Sequence, residues 1–163
     1  MNWKAFQQTA PELARLTEER FARRRVALLG TLHRDGSPRI SPVEPLLADG
    51  ELLLGLLWHS TKALDLLRDP RCTLHSAVTD ALGTEGECKL DARAIEATDP
   101  ALQSKYLEIF RQHWAETAPD RLRAFALDVE RAAFVIYDLA IGQKQVRSWV
   151  PERGVWEIQQ PFP

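Results

Sequence analysis

Residues 55–75 read GLLWHSTKALDLLRDPRCTLH, and their order decides how the rest of the chain is read. An apolar strand runs to Trp58, a Ser60-Thr61-Lys62 turn follows, and a short helix opens. Asp69-Pro70-Arg71 breaks that helix and starts another strand. Ser60 or Thr61 can cap the helix, because a side-chain oxygen there accepts an otherwise orphaned N–H. Ala63, Leu64, Leu66 and Leu67 supply its apolar face. Lys62 falls in the first turn, where a cation opposes the helix dipole unless an anion lies close. The same turn gathers backbone N–H groups, two hydroxyls and an ammonium, a set of donors that suits a phosphate. By itself the stretch favours the plainer reading, a capped helix with a solvated lysine.

Upstream, the spacing of Leu13, Leu16, Arg20 and Phe21 predicts an amphipathic helix over 10–24, closed by Arg23-Arg24-Arg25. Three strands then form a meander. Residues 26–33 lead through Asp35-Gly36, a strong hairpin signal, into residues 38–47. Ala48-Asp49-Gly50 turns the chain into 51–58, whose sequence ELLLGLLW is nearly all apolar and so expected to be buried on both faces. Pro42 and Pro45 cannot donate to a ladder, so the second strand is predicted to be an edge, bulged or interrupted near its end.

Downstream, residues 71–78 resume strand character, 79–85 form a polar loop, and 86–97 alternate as a long strand. Asp99-Pro100 starts a helix that runs to about residue 116. Further strands are expected at 125–129, 132–138, 145–150 and 155–158. Antiparallel strands in this number with few helices suggest a small closed or partly closed barrel.

The 163 residues are 45% hydrophobic and 27% charged, as expected of one globular domain over 1–163. No window approaches the roughly 18 apolar residues of a membrane span. The N-terminus lacks the basic-then-apolar order of a signal peptide. The net charge of −2 gives no general reason to expect nucleic-acid binding. Cys72 and Cys88 have no disulfide framework or zinc spacing, and Cys72 reads as a small core residue. A reducing, cytoplasmic setting is the expectation. His33, His75 and His113 are scattered without metal spacing, and no metal is expected.

Residues 27–97 resemble the pyridoxamine 5′-phosphate oxidase-like, FMN-binding split-barrel family. The pieces that carry the resemblance are Asp35-Gly36-x-Pro38, Arg39-x-Ser41-Pro42-Val43, Ser60-Thr61-Lys62 and Leu67-x-x-Asp69-Pro70-Arg71. Their order and spacing favour the phosphate reading of the turn over the solvated lysine. Val155-Trp156-Glu157-Ile158 is similar to the closing strand of the longer members. The resemblance implies a mainly β fold with helices, a six-stranded antiparallel split barrel that forms a homodimer with flavin sites between subunits. It implies that Arg39 meets the phosphate or ribityl chain, while Ser41, Pro42 and Val43 line the ring. It sets the phosphate on His59, Ser60, Thr61 and Lys62, with Trp58 beside the ring. Glu87 matches a contact made from the partner subunit, and Tyr137 matches an aromatic contact of the larger members.

On this reading Arg39, Lys62 and the helix N–H donors offset an FMN phosphate of charge near −2. True pyridoxamine phosphate oxidases carry an Arg-x-His-Asp-Arg motif, but residues 142–147 here read GQKQVR. Glu44 replaces a second basic residue of their flavin strand, and Glu87 replaces a glutamine. The expected function is therefore that of an FMN-dependent oxidoreductase on another small molecule, without vitamin B6 oxidation. Related split barrels bind a deazaflavin instead, for which Arg34 and Lys89 are extra cations. A non-enzymatic protein that stores or senses flavin or haem is the second possibility, and relatives do bind haem, for which His59 or His75 are candidate ligands here. A barrel that has lost its cofactor and serves as an interaction module is the third possibility. The sequence nominates no catalytic acid or base.

Overall fold

The computed structural model describes residues 1–114 and 121–162. Elements follow in the order α1 (Trp3–Thr9), α2 (Pro11–Arg24), β1 (Ala27–Leu32), β2 (Pro38–Val43), β3 (Pro45–Ala48) and β4 (Glu51–Leu57). Then come α3 (Thr61–Arg68), β5 (Arg71–Ser76), β6 (Glu87–Glu96), α4 (Pro100–Trp114), β7 (Leu122–Asp138), β8 (Gln143–Val150) and β9 (Gly154–Pro161). The strands form one antiparallel sheet in the order β2-β1-β5-β6-β7-β4-β3, with β8 beside β7 and β9 beside β8.

The sheet therefore exceeds the six strands implied by resemblance, having nine among the described residues. One cause is the interruption that the two prolines predict. The chain leaves β1 as its partner after Val43 and, one residue later, pairs with β4 from Pro45. β2 and β3 are the two ends of the sheet path, and Glu44 alone joins them. The covalent chain thus bridges the split where ladder hydrogen bonds stop.

Another difference lies in β7, where two expected strands are one of 17 residues. Arg131 pairs with Asp91 and Val129 with Ala92, so Glu130 is the extra residue of a bulge. The bulge bends the strand without ending it, and this disguises it in the sequence as a break. β8 and β9 then extend the sheet as a hairpin beyond the barrel. The expected end of α4 near residue 116 lies outside the described residues.

α1 is not among the expected elements: it is a seven-residue helix capped by Asn2, whose Oδ1 accepts from the Ala5 N–H at 3.0 Å. Trp3 and Phe6 are fully buried and close one end of the barrel core, with Phe6 edge-on to Trp149 at 4.9 Å. α2 begins at Pro11, which fits the first helical position because no N–H is needed there. Its buried Arg20 pairs with Glu85, which Arg24 also reaches, and so ties the helix to the polar loop.

β4 is buried on both faces at Leu52–Leu54, as its composition predicts, whereas Leu57 at its end is exposed. Leu52, Leu54 and Leu56 face the barrel core, while Leu53 joins a smaller cluster with Tyr106 and Phe110 of α4. Cys72 and Cys88 are buried, and burial pushes their thiols up to about 12 and about 11, as inert core residues require. No helix among the described residues is long and apolar enough to cross a membrane.

Candidate cofactor site

Ser60 is the N-cap of α3. Its backbone is extended, and its hydroxyl accepts from the Ala63 N–H at 3.4 Å. The Leu64 N–H goes to the Ser60 carbonyl. The Thr61 and Lys62 N–H groups precede the first intrahelical donor, that of Leu64, and have no protein partner among the described residues. Thr61 is exposed, and His59 is exposed beside the half-buried Trp58, edge-on at 6.5 Å between centroids.

Lys62 does not extend into solvent. Its Nζ donates to the Pro42 carbonyl at 2.5 Å, near the end of β2 and just before the chain switches to β3. On the far side of the switch, the buried Tyr106 hydroxyl donates to the Glu44 carbonyl at 3.2 Å. Two side chains from two helices thus donate to backbone carbonyls at the strand switch. Burial draws the Lys62 ammonium below its ordinary pKa, and Glu44 pushes it back up.

β2 alternates strictly, so the residues predicted to line the flavin divide between faces. Arg39, Ser41 and Val43 pair with Thr31, Leu29 and Ala27 on the inner face. Pro42 pairs with Leu28 on the outer face and is exposed. Arg39 reaches under α3, where its Nε donates to Asp65 at 2.7 Å and its Nη2 to His33 Nδ1 at 2.8 Å. Asp65 is 3% exposed and also accepts from Thr31 at 3.1 Å and Arg68 at 3.0 Å. Arg39 is therefore the bolt between β2 and α3, with its remaining N–H groups available to a ligand. Sequence reasoning missed Asp65, and the available signal was an acidic residue between Ala63 and Leu66 on the buried face of α3.

Burial alone would raise the Asp65 carboxyl. Hydrogen bonds from Arg39, Arg68 and Thr31 outweigh that and hold it below its ordinary value. Such a group stabilises the fold above its unfolded pKa of about 3.9, and the stabilisation disappears as pH falls through the lower folded value. Urea midpoints measured from pH 6 downward are expected to fall below about pH 4. Asp65→Asn is expected to start from a lower midpoint and to show a shallower acid slope. An unchanged slope in Asp65→Asn contradicts this assignment.

Glu87 begins β6 on the outer face. It receives Lys89 at 2.9 Å and lies 3.6 Å from His75 Nε2. Tyr137 packs edge-on against Phe162 at 5.2 Å and so sits at the hairpin end, away from the turn. The structure thus brings residues 58–62 together with Pro42 through Lys62. Glu87 and His75 form a separate group on β5 and β6. Concavities lie elsewhere, among them one between α2 and the β8–β9 hairpin, walled by Leu16, Phe134 and Ile136, and one on the outer face around Thr73, Asp91 and Arg131. Residues 39–43 and 58–62 line neither.

The family model described as pyridoxamine 5′-phosphate oxidase matches residues 13–136. The chain belongs to this family. The match takes in β2, the capped turn and α3, and leaves out α1 and the β8–β9 hairpin. No sequence among the curated proteins matches the chain. Among solved structures, a putative pyridoxamine 5′-phosphate oxidase from Listeria innocua superposes with a TM-score of 0.61 at 13% identity, over 72% of this chain and 93% of its own. PhzG from Burkholderia lata 383, solved with tetrahydrophenazine-1-carboxylic acid, superposes with a TM-score of 0.67 at 12% identity, over 98% and 93%. HutZ, the haem storage protein of Vibrio cholerae, superposes with a TM-score of 0.58 at 16% identity, over 75% and 90%. At these identities the likeness is one of fold.

Proposed function

We propose that this family member binds FMN in a cleft completed by a second copy of the chain and acts as an FMN-dependent oxidoreductase on a small molecule. The observation that carries the reading is the start of α3, where two orphan N–H groups, the Thr61 hydroxyl and the Lys62 ammonium gather beside Pro42. This donor set fits a phosphate, and no carboxylate of the helix's first turn opposes it. Lys62 keeps N–H donors beyond the one on Pro42, so a phosphate can join without freeing the strand switch. Arg39 contributes by fixing α3 to β2 through Asp65. FMN, when bound, supplies hydride transfer, and this chain supplies its binding and orientation.

The homodimer is part of the same proposal. The turn is open in the single chain, and the outer face of β1 and β2 exposes Leu28 and Ile40. On this reading Glu87, with Lys89 and His75, meets the flavin of the other subunit. The missing Arg-x-His-Asp-Arg motif, with Glu44 and Glu87 in place of a base and an amide, argues against a phosphorylated vitamin B6 substrate.

One observation favours a second reading, haem binding. His75 Nδ1 is 2.7 Å from the Ser76 carbonyl and donates to it, which turns Nε2 to the outer face, 3.6 Å from Glu87. An absorbance titration separates the readings. FMN uptake with a bound-flavin spectrum is expected, whereas a deazaflavin absorbs at shorter wavelength. A Soret band on haem addition that disappears in His75→Ala but survives in His59→Ala would replace the flavin reading with the second one.

A further inference from the structure

The start of β7 brings a second group of cations to the site, one that phosphate binding leaves unused. Arg123 lies over the indole of Trp58, with Cζ 3.9 Å from the ring centroid, and Arg121 lies over the same ring at 4.6 Å. Two guanidinium groups on one ring repel each other, so the arrangement needs negative charge nearby. Arg123 has it. It is ion-paired to Glu96, and its Nε donates to the Trp58 carbonyl at 3.2 Å. Arg121 is exposed and has no carboxylate or carbonyl partner among the described residues. Glu44 acts on the Lys62 ammonium. Among the described residues, the excess charge beside Trp58 is positive, and it resides on Arg121.

A guanidinium seated on an aromatic ring, with no partner for its N–H fork among the described residues, is a preorganised receptor for a planar oxyanion. A lysine could neither stack in this way nor present two parallel donors. We propose that Arg121, seated on Trp58, binds the carboxylate of an anionic substrate, so that the oxidoreductase acts on carboxylic acids. The proposal rests on the flavin reading, because Trp58 is the residue that reading sets beside the ring. Arg123 is a positioning residue: it anchors Trp58 through the backbone and is itself fixed by Glu96.

The test uses benzoate as probe and benzamide, its neutral counterpart, titrated calorimetrically into FMN-loaded and FMN-free protein. Benzoate is expected to bind at least about tenfold more tightly than benzamide, with Arg121→Ala erasing that preference. Arg121→Lys is expected to recover only part of it, and FMN affinity is expected to be unchanged in both variants. Equal binding of benzoate and benzamide overturns the proposal, as does full benzoate affinity in Arg121→Ala. Displacement of benzoate by equimolar inorganic phosphate overturns the carboxylate preference. Weakened FMN binding in Arg121→Ala also overturns it, by assigning the residue to the cofactor phosphate. If the unaltered protein takes up no FMN, the flavin reading fails separately, and the FMN-free titration still decides whether Arg121 holds an anion.

Discussion

Lys62→Ala is expected to weaken FMN binding by about 1.5–3 kcal/mol, the range of a hydrogen bond to a charged group, or roughly ten- to 150-fold in Kd. The variant loses the ammonium at the start of α3 but keeps the Thr61 and Lys62-position N–H groups, so binding is reduced without being abolished. A second consequence follows from the fold. The same ammonium satisfies the Pro42 carbonyl, so Lys62→Ala leaves that group to water and loosens the β2–β3 switch. Lys62→Arg restores the charge and a donor and is expected to recover most of the affinity. Fluorescence titration of FMN into the three proteins measures this. Unchanged affinity in Lys62→Ala removes the residue from the site.

Gly55→Ala is expected to destabilise the protein by about 3 kcal/mol or more, although strand propensity alone predicts the opposite sign. A Cβ built at Gly55 would lie 2.1 Å from Tyr106 Cε1 and 2.4 Å from Cζ, far inside contact. Tyr106 is fully buried, stacked on Phe110 at 5.9 Å and hydrogen-bonded to the Glu44 carbonyl. It has nowhere to move without withdrawing α4 from β3 and β4. The loss therefore approaches that of deleting a buried aromatic ring. Urea unfolding of Gly55→Ala, Tyr106→Ala and the double variant checks it. The two single effects are expected to be strongly non-additive, because removing Tyr106 relieves the clash. A Gly55→Ala protein within about 0.5 kcal/mol of the unaltered one contradicts this packing.

Much of this arrangement was legible in local sequence because its causes are local. Pro42 and Pro45 forbid a continuous ladder, and the strand does change partners between them. Ser60 precedes an apolar helical pattern, and it does cap α3. The apolar run of β4 required two buried faces, which the barrel core and α4 provide. What escaped the sequence depends on distant partners. Asp65 reads as an unremarkable helix residue until the fold sets Thr31, Arg39 and Arg68 around it. Arg121 and Arg123 lie more than sixty residues from Trp58 and meet it only because β7 pairs with β4. α1 is seven residues long, too short for periodicity to register, and is held by burial of Trp3 and Phe6. Alternation along β2 was readable in principle. Taking its residues as one lining overlooked that Pro42 and Val43 face opposite sides.

The central claim is that the start of α3 grips a doubly charged phosphate. Comparing FMN with riboflavin, which has the same ring and ribityl chain but no phosphate, tests that grip directly in a single fluorescence experiment. Riboflavin is expected to bind at least about a hundredfold more weakly, the equivalent of one to two charge-assisted hydrogen bonds, with Lys62→Ala closing much of the gap. Equal affinity for the two flavins would contradict the account.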